Sequence, residues 1–295
     1  MSGVESLKKI ALGTVQIGLP YGIANQVGKV QLEEARRVLL VARQAGVDTL
    51  DTAIAYGDSE AVLGKLDLGG FSIISKLPEM PGDVVDVGNW VEAQFAGSLE
   101  RLGVPRLYAL LLHRPEQLLG QNGDLLYAAL LRLREQGKVQ KIGISIYDPA
   151  ELDALEGRMV FDLVQVPFNL IDRRIVDSGW LSRLNQRGVE VHVRSIFMQG
   201  LLLMAADERP AKFARWDELW NTWERWLLQT QQTRLQACLR FVLSFPEISR
   251  LVVGVDNQQQ LQEIINAVDN FYLPPPAQLN CQDVELLNPS LWSRL

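Results

Sequence analysis

The sequence predicts an α/β protein with parallel inner strands and helices outside them. Short apolar segments alternate with amphipathic helical segments along most of the chain, and no long linker interrupts this alternation. Strands that alternate with helices in this way are typical of a parallel sheet covered by helices. At 295 residues, the chain is long enough for two ordinary domains or for one α/β barrel of roughly 250 residues.

Seven inner strands are predicted from short apolar runs that end at Gly, Pro or polar residues. They cover residues 47–51, 71–75, 107–112, 139–144, 161–166, 189–194 and 250–253. The sequence alone does not place the eighth strand that a complete barrel requires. Another apolar segment, residues 9–14, is expected to be one arm of a hairpin that closes the barrel floor, followed by a Gly-rich loop (18–22) on the opposite face.

Helices are predicted between the strands, where apolar residues recur at helical spacing and Gly often follows the last turn. The longer ones cover residues 31–45, 86–102, 125–136, 150–155, 175–187, 235–243 and 258–268. A shorter helix is expected to begin at Ser59, a suitable N-cap, and to continue through Leu63. The Pro-rich segment near Leu273 predicts a connector to a C-terminal tail from about residue 270, so that residues 1–295 form one barrel domain.

Composition and charge exclude several classes of function. The net charge is −6 and basic residues do not run beyond pairs, which argues against nucleic-acid binding. No apolar stretch is long enough for a signal peptide or a membrane span, and the two cysteines, Cys238 and Cys281, lie in unrelated surroundings. With only two histidines, a His-rich zinc site is not expected. A small-molecule partner in a reducing cytoplasm, without a metal, fits these observations.

Four polar side chains follow the first three predicted strands. Asp51 ends the first strand, Tyr56 lies on the loop after it, and Lys76 and His113 follow the second and third strands. Because the carboxyl ends of neighbouring barrel strands meet at one face, we expect these four side chains to converge. Each of them singly has an ordinary explanation as a capping, surface or packing residue, but the set of four favours a functional site.

The chemistry of this set suits reduction of a carbonyl group. Hydride addition leaves an alkoxide, so the site needs a proton donor in contact with that oxygen. A free Tyr has a pKa of about 10, and Tyr56 therefore needs a cation that stabilises its phenolate. Lys76 can supply the cation and Asp51 can hold Lys76 as an ion pair. His113 can donate a hydrogen bond that orients the carbonyl oxygen.

The sequence resembles the aldo-keto reductases over about residues 9–269. The matching segments are Asp51-Thr-Ala-x-x-Tyr56-Gly-x-Ser-Glu, Ser75-Lys76, Leu111-Leu112-His113-x-Pro115, Gly137-Lys138-Val139, Ile142-Gly143-Ile144-Ser145, Leu239-Arg-Phe-Val-Leu-Ser, Val253-Gly254 and Gln260-Leu261-x-Glu263. The resemblance implies a (β/α)8 TIM barrel that binds an extended nicotinamide cofactor without a Rossmann domain. The chain indeed has no G-x-G-x-x-G segment. The resemblance also implies that Tyr56 is the general acid, supported by Asp51, Lys76 and His113.

The resemblance further implies a set of cofactor contacts. Ser145 and Gln165 are expected to hydrogen-bond the nicotinamide carboxamide, and Ile146 stands where Asn often follows this Ser in the family. The nicotinamide ring usually stacks on an aromatic residue at the end of the sixth predicted strand, where this chain has Arg194 and Ser195. A guanidinium can stack on a planar ring, but it would repel oxidised nicotinamide. A salt bridge at the barrel mouth is an equally good explanation of Arg194.

The adenosine end of the cofactor is expected along residues 254–263, which include Gly254 and Glu263. Gln260 occupies the position where the family commonly has a basic residue. We therefore expect weak discrimination between NADP(H) and NAD(H). NADP(H) is ranked first by a narrow margin because the family mostly uses it.

Several aromatic residues and one arginine are candidates for contacts with the substrate. Tyr21, Trp90 and Arg114 could line the mouth of the barrel, although Trp90 is more typical of helix packing. A helical stripe of tryptophans is expected to be a buried face. The alternatives for this stripe are an aromatic lid, a platform for a sugar ring or a partner surface. The stripe consists of Trp216, Trp220 and Trp223, with Trp226 beside it.

The predicted function is NAD(P)H-dependent reduction of an aldehyde or ketone, sugar-derived substrates included. The alternative is a catalytically weak barrel that binds nucleotide and regulates or scaffolds a partner. The complete set of four residues favours the enzyme, whereas the altered nicotinamide contacts favour the alternative. The physiological substrate, the preferred direction and the oligomeric state are left open by the sequence.

Overall fold

The computed structural model of the chain describes residues 3–25, 27–269 and 271–295. Its strands are β1 (Ile10–Gly13), β2 (Thr49–Asp51), β3 (Ser72–Leu77), β4 (Leu107–Leu112), β5 (Val139–Ser145), β6 (Leu163–Pro167), β7 (Glu190–Arg194) and β8 (Arg250–Gly254). Each strand pairs in parallel with its neighbours in the chain, and β1 pairs in parallel with β8 to close the barrel. The predicted (β/α)8 barrel with parallel inner strands is confirmed.

Helices surround this barrel. In the described part of the chain the α-helices are α1 (Gly3–Leu7), α2 (Val15–Gly18), α3 (Leu32–Gln44), α4 (Ser59–Leu63), α5 (Val87–Leu102), α6 (Gly123–Glu135), α7 (Ala150–Leu155), α8 (Arg174–Asp177), α9 (Trp180–Gln186), α10 (Asp217–Thr230), α11 (Arg234–Leu243), α12 (Gln258–Ala267) and α13 (Val284–Leu287). Short 3-10 helices cover Pro115–Leu119, Met198–Leu203, Ala211–Trp216, Ala277–Leu279 and Pro289–Arg294.

The segment at residues 9–14 corrects one sequence-based expectation. The hairpin predicted there is wrong, because β1 pairs in parallel with both β2 and β8 and is thus the eighth barrel strand. Ile10, Ala11 and Leu12 are all buried, so no alternation of polar and apolar residues marks the strand. A short, wholly apolar run does not reveal its pairing direction from sequence. The Gly-rich loop after it lies at the carboxyl ends of the strands, where Tyr21 shares a cavity with Tyr56.

The residues at its two ends explain where the longest helix begins and ends. Helix α5 begins after Asp86, whose side chain accepts a hydrogen bond from the Asn89 amide at 3.0 Å. The helix ends at Gly103, which adopts the left-handed conformation with φ of 66°. Its buried face, which packs on the barrel, includes Val91, Phe95 and Leu102. The predicted boundaries of this helix are confirmed to within one residue.

Two other helical predictions need correction. The single helix predicted at residues 175–187 is two helices, α8 and α9, separated by Gly179 with φ of 77°. Ser59 is the first residue of α4 rather than its N-cap, which is Asp58. The Ser59 hydroxyl instead donates to the Thr14 carbonyl oxygen at 3.0 Å. This tertiary bond ties α4 to the segment that follows β1, and nothing local in the sequence indicates it.

The tryptophan stripe belongs to the hydrophobic core. Trp220, Trp223 and Trp226 are buried on α10, and Trp216 is partly buried against the same cluster. The prediction of a buried face is confirmed, and the lid, sugar-platform and partner-surface alternatives are wrong because the rings are covered. The segment after residue 271 also packs on this core through Leu279, Leu286, Leu287 and Trp292.

Two further features concern the described residues alone. None of their helices combines the length and apolar character needed to cross a membrane. Their His, Cys, Asp and Glu side chains form no group of three or more that could hold a metal ion. Cys238 and Cys281 are free thiols, so the prediction that they form no disulfide framework is confirmed.

Candidate active site

A buried ion pair lies at the carboxyl ends of β2 and β3. The Lys76 ammonium donates to Asp51 Oδ1 at 2.7 Å, to the Thr52 carbonyl oxygen at 2.8 Å and to the Tyr56 hydroxyl at 3.4 Å. The Lys76 side chain is 0% exposed and that of Asp51 is 4% exposed. An ammonium has three N–H groups, and these three acceptors use all of them. The ammonium is thereby fixed beside the phenol.

The second oxygen of Asp51 connects this pair to the opposite side of the barrel. Gln165 on β6 donates through Nε2 to Asp51 Oδ2 at 2.8 Å. The Ser145 hydroxyl at the end of β5 donates to Gln165 Oε1 at 3.1 Å. A continuous chain of hydrogen bonds therefore runs from Ser145 through Gln165, Asp51 and Lys76 to Tyr56. Since each member is bonded, the network holds the carboxylate in one orientation.

Tight loop packing positions Tyr56. A side chain at Gly18 would place its Cβ 1.7 Å from the Tyr56 carbonyl oxygen, so only glycine is compatible there. Gly57 has φ of 57°, a conformation that favours glycine, and it contacts Gly18 in turn. The loop that carries Tyr56 is thus packed against the segment after β1, which fixes where the phenol lies.

His113 completes the convergent set. Its ring lies edge-on to that of Tyr56, with centroids 5.7 Å apart and an angle of 77° between the planes. Its backbone amide donates to the Leu77 carbonyl oxygen at 3.2 Å, which continues the β3–β4 pairing past the strand end. Asp51, Tyr56, Lys76 and His113 are therefore brought together at one face of the barrel, as the strand positions indicate.

Burial sets the protonation states of these groups. Burial, reinforced by the Asp51 carboxylate, raises the pKa of Tyr56 above its ordinary value, so the phenol keeps its proton at neutral pH. Burial lowers the pKa of Lys76, and the ion pair with Asp51 opposes that effect. Burial and the nearby cations lower the pKa of His113 to about 3, so its imidazole is neutral. The site therefore offers a phenol and a neutral imidazole as donors beside one ion-paired ammonium.

A cavity of about 930 Å³ opens over this set. Asp51, Tyr56 and His113 line one part of it, and Gly254, Gln260 and Glu263 line another. Tyr21 also lines the cavity, as predicted for the mouth of the barrel, whereas Trp90 and Arg114 do not belong to its lining. Of the predicted contacts, Lys76, Ser145 and Gln165 are buried beneath the wall and reach the cavity only through the hydrogen-bond network.

Arg194 lies at the end of β7 in the wall of the same cavity. Its guanidinium stacks on the Tyr147 ring at 4.5 Å and donates to the Ile146 carbonyl oxygen at 3.0 Å. It also contacts the Ser195 hydroxyl at 3.3 Å. Within the described part of the chain it forms no ion pair, so the salt-bridge explanation is wrong. Tyr147 was missed by sequence reasoning, and its position two residues past Ser145 is the signal that could have indicated it.

The far part of the cavity is built around Gly254. A Cβ atom at this glycine would meet the Gln16 side chain at 2.3 Å. Gln260 accepts a hydrogen bond from the Asp256 amide at 2.8 Å, and Glu263 accepts one from Gln259 at 3.1 Å. These predicted cofactor-contact residues thus lie together, from the end of β8 to the middle of α12.

Two residues in this part of the cavity had not been indicated by sequence. Asn25 donates to Asp256 at 3.0 Å and links the loop after β1 to the loop after β8. Gln16 Oε1 is buried without a hydrogen-bond partner among the described atoms. Neither residue follows a predicted inner strand, so no local signal marked them.

Comparison with known proteins identifies the family. The sequence model described as the aldo/keto reductase family matches residues 9–277. This chain belongs to the aldo/keto reductase family. The match covers all eight strands and every side chain of the convergent set.

Individual relatives agree with this assignment. Oxidoreductase sirO from Leptosphaeria maculans is 28% identical to this aldo/keto reductase over 218 residues, covering 70% of this chain and 65% of that protein. An aldo-keto reductase from Mycolicibacterium vanbaalenii is 32% identical over 143 residues, covering 46% of this chain and 48% of its own. The chain thus spans about half to two thirds of the length of these relatives. The solved holo form of the aldo-keto reductase AKR11C1 from Bacillus halodurans has the same fold, with TM-score 0.72 at 18% identity, covering 90% of this chain and 88% of that one.

Proposed function

We propose that this aldo/keto reductase reduces an aldehyde or ketone to an alcohol by hydride transfer, with Tyr56 as the proton donor. The observation that carries the proposal is the Lys76 ammonium, held 3.4 Å from the Tyr56 hydroxyl by a buried carboxylate. Burying a lysine and an aspartate is costly, and the cost is tolerated where the pair is bonded and has a task. Here the pair faces the phenol that opens onto the cavity.

The proton path follows from these contacts. A carbonyl oxygen in the cavity gains negative charge as it is reduced, and the Tyr56 phenol can donate its proton to that oxygen. Negative charge then develops on the phenol oxygen, where the Lys76 ammonium stabilises it. Asp51 keeps the ammonium in place, and Gln165 keeps Asp51 in place.

His113 has a separate role in this mechanism. Its imidazole is neutral at physiological pH and carries one N–H. That N–H can donate to the carbonyl oxygen and orient it toward Tyr56 without adding a second cation beside Lys76. Two neutral donors aimed at one oxygen are the kind of arrangement that stabilises a developing oxyanion.

The cavity fits a nicotinamide dinucleotide. Its volume of about 930 Å³ lies at the upper end of the roughly 300–1,000 Å³ expected for ligand sites. The buried Gln16 Oε1, which has no bonded partner among the described atoms, offers an acceptor to a ligand N–H group beside Gly254. Gly254, Gln260 and Glu263 would hold the adenosine part, while Ser145 and Gln165 support the wall beneath the nicotinamide part. When bound, the reduced nicotinamide supplies the hydride.

We rank NADP(H) first by a narrow margin over NAD(H), because the family generally uses it. Discrimination between NADP(H) and NAD(H) is expected to be weak because of the residues that line the cavity. Arg194 is the sole Lys or Arg among the described residues that line the cavity. Gln260 stands at the position where the family commonly has a basic residue, and its side-chain oxygen accepts a hydrogen bond from the Asp256 amide.

The direct test is a steady-state assay of a panel of aldehydes and ketones with NADPH and NADH. Turnover of at least one carbonyl compound is expected, and nucleotide binding without any turnover would contradict the proposal. Fluorescence titration of each cofactor, with the native tryptophans as reporter, measures the preference. A hundredfold preference for either dinucleotide would contradict weak discrimination.

The variant Gln260→Arg tests the cofactor position. It should strengthen NADPH binding by about ten- to a hundredfold, the range of a hydrogen bond to a charged group, and leave NADH nearly unchanged. Gln262→Arg is the matched control, because it adds the same charge to the same helix at a residue that bonds Asn266 and lies outside the cavity lining. Equal effects of the two variants would show that the 2′-phosphate lies elsewhere.

We also propose that the barrel and the segment after residue 271 act as one domain in a reducing cytoplasm. The burial of Trp292 in the barrel core and the two free thiols support this.

A further inference from the structure

Among the partly buried arginines of the described residues, Arg194 and Arg173 have no acidic partner, and of these two only Arg194 lines the cavity. Arg174 and Arg240, whose side chains are 11% and 12% exposed, each pair with a carboxylate at 2.7 Å or less. No described carboxylate lies within 4.0 Å of the Arg194 guanidinium, although it is partly buried in the cavity wall. An unpaired charge in such a place costs free energy that a ligand of opposite charge can recover.

The contacts of Arg194 leave much of its hydrogen-bonding capacity unused. Its two bonds go to neutral oxygens, those of Ile146 and Ser195, and one face of the guanidinium rests on the Tyr147 ring. Arginine has five N–H donors in a planar fork, so three remain without a partner among the described residues. Stacking on Tyr147 holds the fork rigid, which favours bidentate binding of a carboxylate or phosphate.

Among the described residues that line the cavity, Arg194 is the one Lys or Arg that could bind the anionic group of a substrate. Besides the ion-paired Asp51, the acidic residues of this lining are Glu208, Asp256 and Glu263. Asp256 and Glu263 line the part proposed for the adenosine half of the cofactor, so their negative charges disfavour a substrate anion there. Arg194, by contrast, shares its part of the cavity with Tyr56 and His113 and is close enough to influence the ionisation of both.

We propose that the substrate is a carbonyl compound that carries an anionic group, a carboxylate or a phosphate ester, and that Arg194 binds this group. The free N–H donors of Arg194 hold the anion while the carbonyl oxygen of the same molecule meets Tyr56 and His113. Arg194 is then the residue that determines substrate specificity. This inference rests on the proposed carbonyl reduction.

The test compares matched pairs of substrates that differ in the anion. The carboxylate pair is 4-oxobutanoate and butanal, and the phosphate pair is glyceraldehyde 3-phosphate and glyceraldehyde. The measured quantity is the ratio of kcat/KM for the anionic member to that for the neutral member, within one protein. The wild type should favour the anionic member of at least one pair by about ten- to a hundredfold, the range of a hydrogen bond to a charged group. The pair that shows the preference identifies the anion.

Three variants assign that preference to a residue. Arg194→Met should bring the ratio close to one, and Arg194→Lys should retain part of the preference because it keeps the charge without the fork. Arg114→Met is the matched control, since Arg114 is an exposed arginine after β4, near Glu79 and Glu116 and outside the cavity lining. It should leave the ratio unchanged.

Each other outcome is decisive. A wild-type ratio near one for both pairs, with butanal or glyceraldehyde turned over, overturns the inference and leaves carbonyl reduction intact. An unchanged ratio in Arg194→Met also overturns it. If that variant instead weakens NADPH binding in the fluorescence titration at an unchanged ratio, Arg194 serves the cofactor. Failure of the wild type to reduce any carbonyl compound contradicts the proposed function itself.

Discussion

Each end of this barrel carries a carboxylate, a lysine, a tyrosine and a histidine, in different arrangements. At the carboxyl ends of the strands, Asp51, Tyr56 and His113 line the cavity and Lys76 lies beneath its wall, and we call this set the upper cluster. At the amino ends, Glu190, Lys141, Tyr108 and His192 form the lower cluster. Each cluster has a lysine ammonium over the tyrosine ring, at 4.9 Å in the upper cluster and 5.4 Å in the lower. The residue types alone therefore do not distinguish the two sites.

The hydrogen bonds of the tyrosine distinguish them. Tyr108 donates its hydroxyl proton to Glu190 at 2.8 Å, so that proton is already bound to the carboxylate. Glu190 also receives the Lys141 ammonium at 2.6 Å and the His192 imidazole at 3.3 Å. In the upper cluster the carboxylate is occupied by Lys76 and Gln165 instead. The Tyr56 hydroxyl accepts from Lys76, which leaves its own proton for a ligand in the cavity.

The ion pair of the upper cluster is also less exposed to solvent than that of the lower cluster. The Lys76–Asp51 pair is 0% and 4% exposed, whereas the side chains of Lys141 and Glu190 are 28% and 26% exposed. The pKa of Lys76 is lowered by burial, while that of Lys141 is raised because its bonds to Glu190 and Tyr108 outweigh its burial. Tyr56 can therefore donate its proton to a ligand in the cavity, whereas the proton of Tyr108 is bound within the lower cluster and stabilises it.

The two tyrosines should differ most in their effect on turnover. Tyr56→Phe removes the proposed proton donor and should lower kcat by about two to four orders of magnitude, the range of general acid catalysis. Tyr108→Phe should leave kcat within about twofold, because its hydroxyl serves only Glu190. Steady-state kinetics with one carbonyl substrate measures both, and cofactor titration checks that binding is retained. Near-normal chemistry in Tyr56→Phe would remove the distinction between the clusters.

The two lysines should differ in their effect on the free energy of unfolding. Lys76→Met leaves the Asp51 carboxylate buried and uncompensated, so we expect a loss of about 3–5 kcal/mol together with loss of activity. Lys141→Met leaves a partly exposed Glu190 that keeps other partners, and we expect a loss of about 1 kcal/mol or less. Chemical denaturation of both variants provides the measurement. Equal losses would mean that Lys76 is no more buried in solution than Lys141.

His113 in the upper cluster and Glu190 in the lower cluster should contribute stability that is lost over different pH ranges, and burial of His192 lowers its pKa and adds to the range of His113. The pKa of His113 is lowered from 6.5 to about 3, so between these values the unfolded chain binds a proton that the folded chain does not. The pKa of Glu190 is lowered from 4.5 to about 2 by its hydrogen-bond partners despite burial, which has the same consequence between those two values. Stability should therefore fall as pH decreases through each range, by at most about 1.4 kcal/mol per pH unit for each group.

Variants separate the two ranges. His113→Asn should flatten the pH dependence of the free energy of unfolding between about pH 6 and 4.5, whereas Glu190→Gln should flatten it only below about pH 4.5. Denaturation curves recorded across this pH series give the slopes directly. An unchanged slope in His113→Asn above pH 4.5 would show that its imidazole is not kept neutral by the fold.

The sequence by itself determined the architecture and the identity of the upper cluster. Seven strands could be placed because each is a short apolar run that ends at Gly, Pro or a polar residue, and these signals are local. Asp51, Tyr56, Lys76 and His113 could be grouped because parallel strands bring their carboxyl ends to one face. The type of residue at a strand end is likewise written in the sequence. The buried tryptophan stripe on α10 followed from helical spacing in the same way.

Only the tertiary structure decided the contacts that depend on distant segments. The β1 segment was not recognised as the eighth strand, because its partners β2 and β8 are about 40 and 240 residues away along the chain. The unpaired state of Arg194 and its stacking on Tyr147 arise where β5 and β7 end near each other, and no local pattern encodes an absent partner. The residue types of the two clusters likewise give no indication of which tyrosine, Tyr56 or Tyr108, has a hydroxyl proton that it can donate to a ligand. That is set by burial and hydrogen-bond geometry, which exist only once the barrel has closed.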